Sequence, residues 1–153
     1  RGILFGGHSA GAHLLAQTLL TNNGTSSSPL TKKYLRGLVL ISGIYNLRPL
    51  LKTDINDALE LDLDEATRLS PMLDLSKVTN LREDFKVYIF VGENDSPEFK
   101  RQSADYAKVL SEKNIKSEFE IIPGLDHFDI VENLQNDDYI LTNKIISLIT
   151  NNY

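Results

Sequence analysis

The 153-residue chain contains no cysteine, which excludes a disulfide frame, a thiolate metal site and a cysteine nucleophile together. Missing cysteines do not locate a protein, so a cytosolic setting is permitted rather than required. Positive charge is also scarce, with 16 Lys and Arg against 21 Asp and Glu and a formal charge of −5. No basic run exceeds the Lys32–Lys33 pair. The sequence therefore lacks the cationic patterning that binds a phosphate backbone, and nucleic acid is not an expected partner. Long apolar runs are missing too. No stretch approaches the roughly 18 apolar residues of a membrane span, and the short apolar run after Arg1 has none of the organisation of a secretory signal. A membrane is not an expected partner either. The first residue is Arg1 rather than methionine, and the expectation is that translation begins upstream.

What is present is enough for one core: 41% of the residues are hydrophobic in a chain of single-domain length. Apolar runs that read as strands alternate with helix-like segments. Gly2 to Phe5 is a brief apolar run ending at Gly6-Gly7, and Ala10 to Leu20 follows with helical spacing at Leu14, Leu15 and Leu19. Thr21 to Pro29 reads as a polar loop. Leu38 to Ser42 is a continuous β-rich run of the kind buried on both faces of a parallel sheet. Asp54 to Leu69 is acidic with spaced leucines and reads as one or two short helices, stopped by Pro71. Lys86 to Gly92 is the clearest strand. Ser96-Pro97 reads as an N-cap with proline at the first helical position, opening a helix towards Glu112. Ser117 to Ile122 is a further strand, and a last helix is expected from about Asp137 to Thr150. Strands separated by helix-sized segments predict an α/β fold, a parallel sheet flanked by helices.

The boundary between the first strand and the first helix carries the chemistry. Gly7-His8-Ser9-Ala10-Gly11 fits G-x-S-x-G, in which a serine sits on a tight strand-to-helix turn with its hydroxyl above the sheet. Strand and helix crowd there, and the expectation is that a side chain at either flanking glycine, Gly7 or Gly11, would collide. Three fixed positions at about 7% usage each match by chance in roughly 5% of chains this long, so the motif needs partners before it means anything.

A serine hydroxyl becomes a useful nucleophile when a base takes its proton, and the base needs a carboxylate to hold its tautomer. Both partners should follow on loops at the carboxyl ends of later strands, acid before histidine. His127, in PGLDHFD, stands just beyond the strand ending at Ile122 and is the sole histidine outside the opening segment. His8 and His13 are tied to the turn and its helix, where neither reaches back to Ser9 in line. They do not read as metal ligands, because no H-E-x-x-H or third convergent ligand accompanies them. Asp95, in VGENDSPEF, is the favoured acid because it lies in a short turn beyond Gly92 whose N–H groups can fix a carboxylate. Glu93, Asp126 and Asp129 remain alternatives. Tyr45, Phe99 and Phe128 suit either an aromatic substrate pocket or ordinary packing.

Longer strings add a resemblance. GGHSAGAHL, LSPML at Leu69 to Leu73, VGENDSPEFKRQS at Val91 to Ser103 and LDHFDIVENL at Leu125 to Leu134 resemble the kynurenine formamidases, also called arylformamidases, of the α/β-hydrolase fold. The resemblance implies Ser9 as nucleophile, Asp95 as acid and His127 as base, with the Ala10 N–H in the oxyanion hole. It implies a small-molecule substrate, N-formyl-L-kynurenine, hydrolysed to L-kynurenine and formate in tryptophan catabolism. It also implies a cytoplasmic enzyme with no metal or other cofactor. A broader carboxylesterase or lipase activity, and a non-catalytic product of truncation, are the competing readings. In the fold so implied, a second oxyanion donor comes from an HGGG-like loop after an earlier strand, and these 153 residues hold no such loop. The expectation is that residues 1–153 are the C-terminal part of a single α/β-hydrolase domain, its N-terminal strands missing. The sheet edge so exposed is prone to association, which admits a homodimer.

Overall fold

A computed structural model describes residues 2–20, 33–76, 78 and 81–151; the expected loop at Thr21 to Pro29 lies outside them. Four strands form one sheet in the order β1 (Ile3–His8), β2 (Leu35–Ile41), β3 (Lys86–Gly92) and β4 (Ser117–Ile122), every neighbouring pair parallel. Each parallel step needs a crossover. The helices among the described residues are α1 (Ala10–Thr18), α2 (Ile55–Leu59), α3 (Leu63–Arg68), α4 (Pro97–Glu112), α5 (Asp129–Glu132) and α6 (Ile140–Asn151), with short 3-10 turns at Arg48–Lys52 and Asn133–Gln135.

The two-residue period of the strands sorts the apolar runs into two layers. Leu38, Leu40, Val87 and Ile89 point to one face, where they pack with Ala12, Ala16 and Leu19 at α1 and its end and with Tyr106 and Leu110 of α4. Val39, Ile41, Tyr88 and Phe90 point to the other and pack with Ile122, Ile130 of α5 and Leu141 of α6. Both faces are covered, which is why the runs in β2 and β3 are apolar without alternation. Gly37 of β2 has a packing reason: a Cβ there would lie 2.1 Å from the Lys86 carbonyl oxygen of the neighbouring strand.

The expected element boundaries differ most from the observed ones in three places. β1 runs to His8 rather than stopping at Phe5, because pairing of Gly6, Gly7 and His8 with Val39, Leu40 and Ile41 carries the extended backbone through the glycines. β2 starts at Leu35, before the apolar run. α6 starts at Ile140 rather than Asp137, after a turn in which the Tyr139 N–H donates to Asn136 O. The acidic segment does split into two short helices, and Asp62 opens α3 with a reciprocal capping box with Glu65. Ser96 caps α4 with Pro97 at its first turn.

Among the described residues no helix is long and apolar enough to cross a membrane.

Candidate active site

The carboxyl ends of β1, β3 and β4 meet at one rim of the sheet. At the end of β1, Ser9 turns the chain into α1 with φ 53° and ψ −118°, a region that costs a non-glycine residue on the order of 1–3 kcal/mol and tends to persist where surroundings enforce it. Two backbone bonds enforce it here. The Ser9 N–H donates to Ile41 O at 2.9 Å, and Ser9 O accepts from the His13 N–H at 3.1 Å. Gly7 is required by close approach, since a Cβ there would lie 2.6 Å from the backbone C and O of Gly11. Gly11 is not: a Cβ on it meets nothing within 4 Å among the described residues. The expected crowding therefore holds at one flanking glycine, because it is the Gly7 side of the turn that faces the passing helix backbone.

The loop beyond β3 supplies Asp95. Its N–H donates to Gly92 O at 3.2 Å, and its Oδ1 accepts from the Ser96 N–H at 2.8 Å, so the turn orients the carboxylate. The loop beyond β4 supplies His127, whose Nδ1 lies 3.2 and 3.1 Å from the two Asp95 carboxylate oxygens. The Asp95 side chain is 1% exposed and that of His127 20%. A carboxylate only accepts, so Nδ1 carries the ring proton and Nε2 is left with its lone pair. The Ser9 hydroxyl donates to that Nε2 at 3.1 Å. Three side chains separated by up to 118 residues thus form one continuous hydrogen-bonded line.

Two of the alternative acids, Glu93 and Asp126, are occupied elsewhere. Glu93 Oε2 accepts from the Gly124 N–H at 2.8 Å and braces the loop that carries His127. Asp126 Oδ1 accepts from the N–H groups of Phe128 and Asp129 at 2.8 Å each, and these bonds hold its carboxyl below the ordinary range. Asp129 begins α5. Of the histidines at the elbow, His13 Nε2 donates to Leu69 O at 2.8 Å and ties α1 to the segment after α3. Among the described residues no group of three His, Cys, Asp or Glu side chains is placed to hold a metal ion.

The aromatic candidates divide. Tyr45 is buried and stacked on Tyr106 with ring centroids 4.2 Å apart, so it is core, and burial pushes its phenol well up. Phe99 lies 4.3 Å from the His127 ring, centroid to centroid, and Phe128 meets that ring edge-on at 5.3 Å. Phe99 also lines a cleft of about 470 Å³ beside the elbow, with Ala10, His13, Ile44, Leu47, Leu50 and residues of α2 among its walls. That volume is within the span usual for small-molecule sites.

Two contributors had no signal in the sequence. Gln102 of α4 takes the N–H groups of Tyr45 and Asn46 on its Oε1 at 2.7 Å each, bracing the wall of the cleft beyond β2. Gly92 ends β3 where the loop that carries His127 crosses it: a Cβ would lie 2.3 Å from Leu125 O and 3.0 Å from Asp126 O. Gly92→Ala must push residues 125 and 126 outward and carry His127 with them. Displacements near 1 Å cost on the order of 10²-fold in reaction rate, against an overpacking cost of about 1–3 kcal/mol in stability. Fluorophosphonate labelling of Ser9 should slow accordingly while thermal melting remains cooperative; labelling at the parental rate would contradict the account.

No family model matches the chain. In sequence it is 39% identical over 149 residues, 97% of its length, to the kynurenine formamidase of Danio rerio. It is 38% identical over 139 residues to that of Drosophila melanogaster. The chain spans about half the length of these relatives, 50% and 46%. Among solved structures, a candidate thioesterase from Silicibacter sp. TM1040 superposes with a TM-score of 0.75 at 29% identity, over 95% of this chain and 50% of that one. An esterase from Thermogutta terrifontis superposes with a TM-score of 0.61 at 21% identity, over 97% of this chain and 54% of that one.

Parallel sheet, flanking helices and serine elbow define a chain of the α/β-hydrolase fold. Within that fold the relatives its sequence matches are kynurenine formamidases, at 38–39% identity and across about half of their length.

Proposed function

We propose that this chain carries the catalytic groups of a serine hydrolase that cleaves the formyl amide of N-formyl-L-kynurenine to L-kynurenine and formate. Ser9 is the nucleophile, His127 the general base and then acid, and Asp95 the carboxylate that holds the imidazole. One observation carries the reading: the 3.1 Å contact from Ser9 Oγ to His127 Nε2, backed by Asp95 on the opposite ring nitrogen, in a homologue of kynurenine formamidases.

Ser9 Oγ attacks the formyl carbon as His127 Nε2 takes its proton, and Asp95 stabilises the imidazolium. The oxyanion that forms faces the N–H of Ala10, the first residue of α1, where the helix leaves donors unpaired and its dipole favours negative charge. Gly7 allows the elbow to hold that geometry, and Gly11 follows it in the helix. His127 returns the proton to the arylamine nitrogen as the C–N bond breaks, leaving a formyl ester on Ser9. Water, deprotonated by His127, attacks this ester and releases formate, restoring the hydroxyl. The apolar cleft beside Ala10 and Phe99 receives the aryl ring. Protein groups and water carry every step, and the cytoplasm is the proposed compartment, following the family resemblance.

A formyl group presents only hydrogen beyond its carbonyl, so a tight acyl site rejects larger acyl groups by overlap. Formyl arylamides should turn over about 10- to 100-fold faster in kcat/KM than their acetyl counterparts. Equal rates would refute the formamidase reading, and preference for longer acyl esters would favour a general esterase.

A further inference from the structure

The mechanism above leaves two histidines near the site unused; His13 bonds Leu69 O, and the partner of the other is more telling. His8 is the last residue of β1, paired with Ile41. Its side chain reaches away from the sheet to a loop 119 residues later: Nε2 lies 2.8 Å from the carbonyl oxygen of His127. The two imidazoles stand 4.7 Å apart, centroid to centroid, tilted by 45°. A carbonyl only accepts, so His8 Nε2 must carry the hydrogen. Burial holds the His8 imidazole below its ordinary pKa, and the neutral ring keeps a second positive charge away from the imidazolium that His127 becomes.

Among the described residues, the other bonds that reach the backbone of this loop from outside it come from the β3 side. Glu93 N–H donates to Ile122 O at 2.9 Å, Asn94 N–H to Leu125 O at 2.8 Å, and Glu93 Oε2 accepts from Gly124 N–H. These set the distance from His127 to Asp95. None of them refers to the nucleophile. We propose that His8 is a positioning residue, tying the backbone of the base to the strand that presents Ser9 and so fixing the separation of Ser9 Oγ from His127 Nε2. Ser9 is the next residue in the chain, so one rigid strand end sets both the nucleophile and, through this bond, the base. The proposal rests on the hydrolase reading for its chemistry and on the 2.8 Å bond for its geometry.

Two measurements separate these. Fluorophosphonate labelling of Ser9 reads the chemistry: His8→Ala should slow it by about 10- to 10²-fold. His8→Gln, whose amide nitrogen sits at a similar reach from the backbone, should recover most of the rate at the same melting temperature. With a formyl arylamide as substrate, the loss in His8→Ala should fall on kcat and leave KM unchanged. Parental labelling by His8→Ala, or equal loss in both variants with folding intact, overturns the proposal. Nitrogen NMR of the parental imidazoles reads the tie without any reaction. His8 as the Nε2–H tautomer supports it, and the Nδ1–H tautomer overturns it. A complete protein that labels at no measurable rate sinks the hydrolase reading, while the tautomer still decides whether His8 holds the His127 loop.

Discussion

His127→Ala is expected to reduce turnover of formyl arylamides, and labelling of Ser9 by a fluorophosphonate, by on the order of 10⁴- to 10⁶-fold. The size follows from what the ring does. In the proposed mechanism it removes the hydroxyl proton in the first step, returns a proton to the leaving nitrogen in the second and activates water in the third, so its loss would touch every barrier. Nothing nearby replaces it. His8 donates its Nε2 hydrogen to a backbone carbonyl and His13 bonds Leu69 O, so neither presents a lone pair to Ser9 Oγ. The Ser9 backbone is held by Ile41 O and the His13 N–H rather than by the base, so the variant should melt within about 1 kcal/mol of the parent, as a part-exposed side chain warrants. A variant that keeps more than a hundredth of the parental rate would mean that some other group takes the serine proton.

Asp95→Asn is expected to lower the same rates by on the order of 10⁴-fold, the effect of the equivalent change in another serine hydrolase. The shape hardly alters, yet the hydrogen bonding inverts. Asp95 accepts from the Ser96 N–H through Oδ1 and from His127 Nδ1. In the variant, the new side-chain amide would keep its oxygen on the Ser96 N–H and present its NH₂ to Nδ1. The ring answers a donor by placing its hydrogen on Nε2, pointing at Ser9 Oγ, and the lone pair that should take the serine proton is gone. Because the side chain is 1% exposed, water cannot easily restore the tautomer. A measured pH profile adds a sign: the variant should recover rate as pH rises, where hydroxide can assist, and a flat profile at the reduced level would count against the tautomer account.

How much of this is legible in the sequence differs between elements. β3, α4 and β4 are found at the boundaries their residues predict, since each combines a strong period with a clear stop: Gly92, the Ser96-Pro97 start, Pro123-Gly124. β1 reads short because its glycines end the apolar pattern, while pairing with β2 continues regardless. Gly7 and Gly11 look alike in the motif, yet one faces backbone at 2.6 Å and the other open space among the described residues. Local sequence cannot separate Glu93, Asp95 and Asp126 decisively, because each stands on a loop beside a strand end. Their partners do: Glu93 turns to Gly124 N–H, Asp126 to its own loop and Asp95 alone to the imidazole.

The sequence by itself determined the alternation of strands and helices, the serine turn, and the residue types and chain order of the proposed nucleophile, acid and base. These are local properties, set by side-chain period, glycine freedom and the proline stop, so neighbouring residues suffice to reveal them. The tertiary structure alone decided the rest: that Gly92 must be bare for the base loop to pass, that Gln102 braces the cleft, and that His8 reaches the His127 carbonyl. Each depends on atoms that parallel pairing brings together from distant parts of the chain, and no period or motif encodes such a meeting.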